Sequence, residues 1–194
     1  MLELRVATGD PWVTVVLDSF DDFLLDHATC ERKASANAIS LVTHYPDRRE
    51  LVRLMIELAR EELHHFQQVH RLIENRGLLL TRDRKDPYLN ALLRQIRKGR
   101  EAYFLDRLLI GGIVEARGCE RFGLVAAALE KSRSDAELAT FYANLAESEA
   151  RHRDLFVDLA ELYFDKGDVG LRLSELLDDE ARIVSELPIT AALH

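Results

Sequence analysis

Glu62 and Glu149 lie 87 residues apart, and each is followed three residues later by a histidine, His65 and His152. On a helix, positions i and i+3 share a face, so each pair can aim a carboxylate and an imidazole at one metal ion. Glu61 and His64 have the same spacing, and the apolar stripe chooses between the registers. Leu51, Met55, Leu58, Glu62, His65, Val69 and Leu72 follow one another in steps of 4 and 3. Glu62 and His65 therefore interrupt a buried seam, while Glu57, Glu61, His64, Gln68 and Arg71 fall on its polar flank. The second copy repeats the pattern through Leu138, Tyr142, Leu145, Glu149, His152, Phe156, Leu159 and Tyr163, with Glu147 on a polar row beside Thr140, Asn144 and Arg151. A carboxylate and an imidazole buried together cost several kcal/mol unless something compensates. One such pair could be a satisfied core ion pair. Two copies at the same seam position favour a shared metal centre.

The elements that must position these groups are helical. The chain has 194 residues, long periodic segments and only four prolines, which suits one all-α domain spanning 1–194, with 1–18 as a lead-in and 188–194 as a tail. Trp12 to Leu17 is either a helical turn or a packed strap. A first helix is expected from Asp18 or Ser19 to His44, stopped by Tyr45-Pro46, and its seam of Leu17, Phe20, Leu24, His27, Glu31, Ala34, Ala38 and Leu41 turns Glu31 inward. A second runs from Asp47 to Arg76 with Gly77 as its stop. Pro87 opens a short extra helix ending near Gly99. A long helix from Arg100 to Lys131 turns Glu115 inward through Leu108, Gly112, Glu115, Cys119, Phe122, Ala126 and Leu129. Glu120, five residues on, points elsewhere. Residues 132–135 form a turn, Ala136 to Phe164 the next helix, and Val169 to Leu187 a C-terminal one.

The order is thus a helix with one inward Glu, then a helix with Glu-x-x-His, twice over, at spacings of 31 and 34 residues between the glutamates. If neighbouring helices are antiparallel, Glu31 and Glu62/His65 stand at heights of roughly 21 and 25 Å from their shared turn, and Glu115 and Glu149/His152 at about 26 Å from theirs. Glu31, Glu62, His65, Glu115, Glu149 and His152 are then able to converge inside a four-helix bundle. This is the ligand pattern of a ferritin-like dinuclear carboxylate site. Four carboxylates and two imidazoles suit iron or manganese, and the residues alone leave that choice open.

Glu31-Arg32-Lys33-Ala34, the stretch Glu61 to Phe66, Asp86-Pro87-Tyr88 and above all Glu115-Ala116-Arg117-Gly118-Cys119-Glu120-Arg121-Phe122 carry a further likeness. The chain resembles the bacterial tRNA 2-methylthio-N6-isopentenyladenosine hydroxylases from about Trp12 to Leu187. Gly118 stands where that family's pattern would have Ser. The resemblance implies a ferritin-like non-haem di-iron monooxygenase that hydroxylates the isopentenyl group at tRNA position 37. It implies two iron ions held by the same six residues, O2 as co-substrate, tRNA as partner and an electron-donating reductase. The di-iron centre itself would do the oxidation, with no separate protein acid or base assigned.

Charge supplies one independent hint. Net charge is -8, so the whole molecule does not suit a polyanion, and any RNA contact must be a local patch. Residues 76–107 hold nine Lys or Arg against four acids, and Arg84, Lys85, Arg94, Arg97, Lys98 and Arg100 could form a basic rim for phosphates. A solvated helix face explains the same charges. Tyr88 could stack on a base or pack in a core. Gly111-Gly112, one turn before Glu115, is no phosphate loop; it could open room for a prenyl chain or allow close helix packing. Cys30 and Cys119 lack zinc-type spacing and point to a reducing, cytoplasmic setting. No secretory leader or bilayer-length apolar run is visible. Two other readings stay open: a ferroxidase or iron-handling protein, and a di-metal oxidase of the manganese catalase type acting on a small molecule. Oligomeric state is not legible.

Overall fold

A computed structural model describes residues 2–83, 85–133 and 135–194. Among these the chain forms seven α-helices and no strand: α1 (Asp10–Asp18), α2 (Phe20–His44), α3 (Arg49–Asn75), α4 (Pro87–Leu93), α5 (Arg100–Ser132), α6 (Ala136–Tyr163) and α7 (Lys166–Glu186). The helical expectation holds, and Trp12 to Leu17 belongs to a helix rather than a strap. The boundaries follow local chemistry. Asp86, Asp135 and Asp165 cap α4, α6 and α7 by accepting backbone N–H groups of the first turn. Gly77 after α3 and Gly99 before α5 take φ of 69° and 102°, a region that other residues rarely adopt. Ser19 is the N-cap of α2, yet its side chain makes no capping bond. The turn expected at 132–135 includes Ser134, which lies outside the described residues.

The chain folds as two compact units. One comprises Val15–Arg84 and Thr190–Leu193 and is built on α2 packed against α3. Its core is Phe23, Leu24, Ala28, Ala38 and Leu41 from α2 against Leu51, Met55, Leu58, Val69 and Ile73 from α3. Ser35 Oγ donates to the Ala59 carbonyl at 2.7 Å, tying the two helices at mid-length. At the far end Arg76 Nη1 donates to Asp21 at 2.9 Å and lies over the Phe20 ring. The seam differs from expectation at its two ends. Leu17 is exposed, because α1 ends at Asp18 and α2 starts a new helical phase at Phe20. Ile73 rather than Leu72 fills the last buried turn of α3.

The other unit comprises Met1–Thr14, Lys85–Ile189 and His194, built on α5 packed against α6 with α4 and α7 alongside. Phe104, Leu108, Ile113, Phe122 and Val125 of α5 meet Leu138, Tyr142, Leu145, Phe156 and Leu159 of α6 in its core. A Cβ on Gly111 would come within 2.8 Å of the Phe156 ring, so this glycine permits close helix packing. Of the two readings of Gly111-Gly112, packing is what the geometry supports.

A buried ion-pair network joins α5 to α7. Arg117 and Glu180 are both fully buried, and Glu180 Oε1 accepts from Arg117 Nε at 2.9 Å, Arg117 Nη2 at 2.7 Å and the Tyr88 hydroxyl at 3.1 Å. Arg117 also donates to the Val6 carbonyl, Thr8 Oγ1 and Glu120. Burial, and then the Glu180 charge, hold the Tyr88 hydroxyl well above its usual range, so it stays protonated as the donor.

Candidate metal centre

In the α2/α3 unit the two helices bring Glu31, Glu62 and His65 together, with one potential ligand atom from each lying within 4.8 Å of the others. They are 3%, 1% and 6% exposed, so the seam reading of all three is correct. His65 Nδ1 stands 3.3 Å from Glu62 Oε2 and 3.6 Å from Glu31 Oε2. Burial works against a charged imidazole here, but the hydrogen bonds and charges of Glu31 and Glu62 outweigh it and raise the His65 pKa to about 10.

The α5/α6 unit repeats the set. Glu115, Glu149 and His152 each offer an atom within 4.8 Å of the others, and His152 Nδ1 lies 3.3 Å from Glu149 Oε2. Glu149 and His152 are buried, whereas Glu115 is only partly so. In both helices Nδ1 is the nitrogen turned toward the carboxylate. A Cβ at Gly118 would lie 3.8 Å from Glu149 Cγ, an ordinary contact. A Ser at this position would therefore also fit beside Glu149.

These donor sets fit divalent iron. Each unit gathers two carboxylates and one imidazole, all buried except the half-buried Glu115, and a divalent ion would neutralise the two negative charges. Glu61, His64 and Glu147 lie on the outer or half-exposed faces. Glu120 accepts from Thr8 N and Thr8 Oγ1, both at 2.7 Å, and pairs with Arg117, so it anchors the N-terminal segment to α5 and takes no part in the cluster. Sequence reasoning missed one neighbour of the site. His27, fully buried, stands with Nε2 at 2.6 Å from Glu31 Oε1. The signal was available, a His four residues before an inward Glu on one face.

The sequence matches, over residues 2–194, the family model described as tRNA-(MS[2]IO[6]A)-hydroxylase (MiaE). A relative named tRNA 2-(methylsulfanyl)-N(6)-isopentenyladenosine(37) hydroxylase from Pseudomonas putida is 36% identical over 195 residues, covering 95% of this chain and 93% of its own. The chain belongs to this hydroxylase family. A relative of the same name from Salmonella typhimurium is 31% identical over 163 residues, covering 84% of this chain and 56% of its own length. Among solved structures, Protein 43 with aldehyde deformylating oxygenase activity from Synechococcus is similar, with a TM-score of 0.89 and 35% identity, covering 98% of this chain and 94% of that one. The fold is accordingly all-α and ferritin-like, and the chain is a member of an enzyme family.

The expected basic rim fares unevenly. Lys85, Arg94, Lys98 and Arg100 are exposed. Arg97 is committed to Asp106, donating from backbone N at 2.8 Å and from Nη2 at 2.8 Å. Arg172 shares that acid, its Nε donating at 2.9 Å. Burial opposes the Asp106 charge, but bonds from Arg172 and Arg97 prevail and lower its pKa. Arg84 lies outside the described residues. Tyr88 is 1% exposed and packs in the core, so the base-stacking reading of that ring does not hold. No helix among the described residues is long and apolar enough to cross a membrane.

Proposed function

We propose that this chain is the O2-dependent di-iron hydroxylase of the isopentenyl group of 2-methylthio-N6-isopentenyladenosine at tRNA position 37, acting in the cytoplasm. The carrying observation is the doubled set of two carboxylates and an imidazole, Glu31/Glu62/His65 and Glu115/Glu149/His152, buried but for the half-buried Glu115, in a chain of the hydroxylase family. In this reading the two sets serve one pair of iron ions as six ligands. Four carboxylates balance the charge of two Fe(II) ions, which favours iron uptake into a dry interior.

When bound, the iron pair supplies the oxidising power that activates O2 toward an unactivated C–H bond. Overall, a C–H bond becomes C–OH, the second oxygen atom leaves as water, and two electrons and two protons enter. A reductase delivers the electrons. The protein's own part is to hold the six ligands in a water-poor interior and to orient the prenyl chain. Lys85, Arg94, Lys98 and Arg100 would meet tRNA phosphates, a sequence-independent contact that positions the RNA without reading bases. Family membership favours this reading over a ferroxidase or a manganese catalase.

The test is nucleoside analysis of tRNA from a strain lacking the gene, with and without a plasmid copy. Restoration of the hydroxylated nucleoside by wild type, and its absence with Glu62→Ala, is the expected result. Unchanged hydroxylation in the deletion strain overturns the substrate assignment. Iron analysis of the purified protein separately tests for two equivalents per chain.

A further inference from the structure

We propose that His27 is a positioning residue for Glu31: its Nε2–H holds Glu31 Oε1, so that Oε2 alone is turned to the metal. This rests on the di-iron reading above and adds a residue to it. His27 is 0% exposed, and its Nε2 lies 2.6 Å from Glu31 Oε1. An ionised carboxylate only accepts, so the ring nitrogen facing it is the donor, which fixes the tautomer. The other Glu31 oxygen, Oε2, is the one 3.6 Å from His65 Nδ1. The two oxygens of one carboxylate are therefore split, one to an imidazole donor and one to the ligand cluster.

Three features make this a built arrangement. First, His27 and Glu31 are four residues apart on α2, so a single helical turn sets their geometry. Second, Phe23, one turn earlier and fully buried, packs its ring 6.0 Å from the His27 ring at an angle of 32°. Third, His27 meets Oε1 while His65 of the metal-capable group lies by Oε2, so the two imidazoles approach different oxygens of Glu31. A buried donor behind a ligating carboxylate orients it before metal arrives, and removal of such partners costs roughly 10–100-fold in metal affinity or activity. With Oε1 held by His27, Oε2 is the Glu31 oxygen that would be offered to an ion.

Cobalt(II) titration followed by visible absorption tests this without turnover. His27→Leu removes the donor and keeps apolar volume. It is expected to weaken one of two cobalt equivalents by about 10–100-fold and to change the band intensity of that site. His27→Gln, which retains an N–H donor, should recover most of the affinity. In a Glu31→Ala background His27→Leu should add no further loss, since the imidazole acts through that carboxylate. A merely structural role would lower the melting temperature and leave affinity and spectrum alone. Wild-type affinity and spectrum in His27→Leu, or full additivity with Glu31→Ala, overturns the inference while the metal reading stands. Wild-type protein that takes up no cobalt or iron overturns both. Should His27→Leu not fold, His27→Asn, too short to reach Oε1, takes its place with the same expectations.

Discussion

Replacing Glu180 by Leu tests whether the α5–α7 ion pair is structural. Arg117 is fully buried, and two of its hydrogen bonds, from Nε and Nη2, converge on Glu180 Oε1. Breaking a buried pair by removing one partner costs roughly 3–5 kcal/mol, because the remaining charge stays out of water. Glu120, Thr8 and the Val6 carbonyl still face the guanidinium, so the loss falls at the lower end, about 3 kcal/mol. At roughly 2–4 °C per kcal/mol for a chain of this size, the melting temperature drops by about 6–12 °C. Glu180→Gln keeps an oxygen for the same donors but removes the compensating charge, so its loss should fall below that of Glu180→Leu without vanishing. The double variant Arg117→Met/Glu180→Leu should cost less than the sum of its single changes, since neither charge is then left alone. Calorimetry at neutral pH on wild type, the two Glu180 variants, Arg117→Met and the double variant reads all of this. A Glu180→Leu protein that melts within 2 °C of wild type, or single effects that simply add, would refute the reasoning.

Four further outcomes follow from the site and its surroundings. Glu115→Ala should abolish metal-dependent activity and lower the iron content, whereas Glu120→Ala keeps both iron equivalents and only loosens the N-terminal segment; iron analysis of the two decides the register of α5. Neutralising Arg94, Lys98 and Arg100 together should weaken tRNA binding and flatten its salt dependence by about 2 in log–log slope, at roughly 0.7 per lost phosphate contact, and an unaltered slope would exclude this rim as the docking surface. Arg97→Gln should instead also lower thermal stability, because it strips a bond from the buried Asp106. The last outcome concerns pH. His194 stacks on Tyr88 at 5.3 Å with its ring only 8% exposed, and burial first, then Arg121 and Arg117, lower its pKa from 6.5 to about 4 against the pull of Asp86 and Glu149. The folded value lies below the unfolded one, so stability is full above pH 6.5 and falls as pH drops toward 4, by about 3 kcal/mol at the limit. Thermal melts from pH 4.5 to 7.5 should show a shallower pH slope in His194→Asn than in wild type, and equal slopes would sink the assignment.

How far the sequence could be read depended on whether a feature is local. Glu62, His65, Glu149 and His152 stood out because each interrupts a stripe of steps of 3 and 4, and all four are buried. The stripe fails where a helix ends: the phase carried through Leu17 into Phe20 is lost at the break between α1 and α2. His27 was in view as a seam residue, yet a seam counts faces and says nothing about which oxygen of Glu31 a ring will meet. Arg117 and Glu180 are 63 residues apart, and no local pattern announces that pairing. The basic stretch misled in another way, since counting charges from 76 to 107 ignores that Arg76 and Arg97 already have acids to hold, Asp21 and Asp106.

The two halves of the chain share a donor set but not its supports, and that difference has consequences. On α2 the inward glutamate is held by an imidazole one turn away, so its orientation is a property of that helix alone. On α5 the helix is gripped two residues beyond Glu115, through Arg117, by partners that come from α7 and from the N-terminal segment. Damage to α7 should therefore reach Glu115 and leave Glu31 untouched, while loss of His27 should do the reverse. Two ions that are matched in ligand type would then differ in how their sites respond to distant substitutions. A symmetric response of both sites to Glu180→Leu, in affinity or in spectrum, would contradict that division.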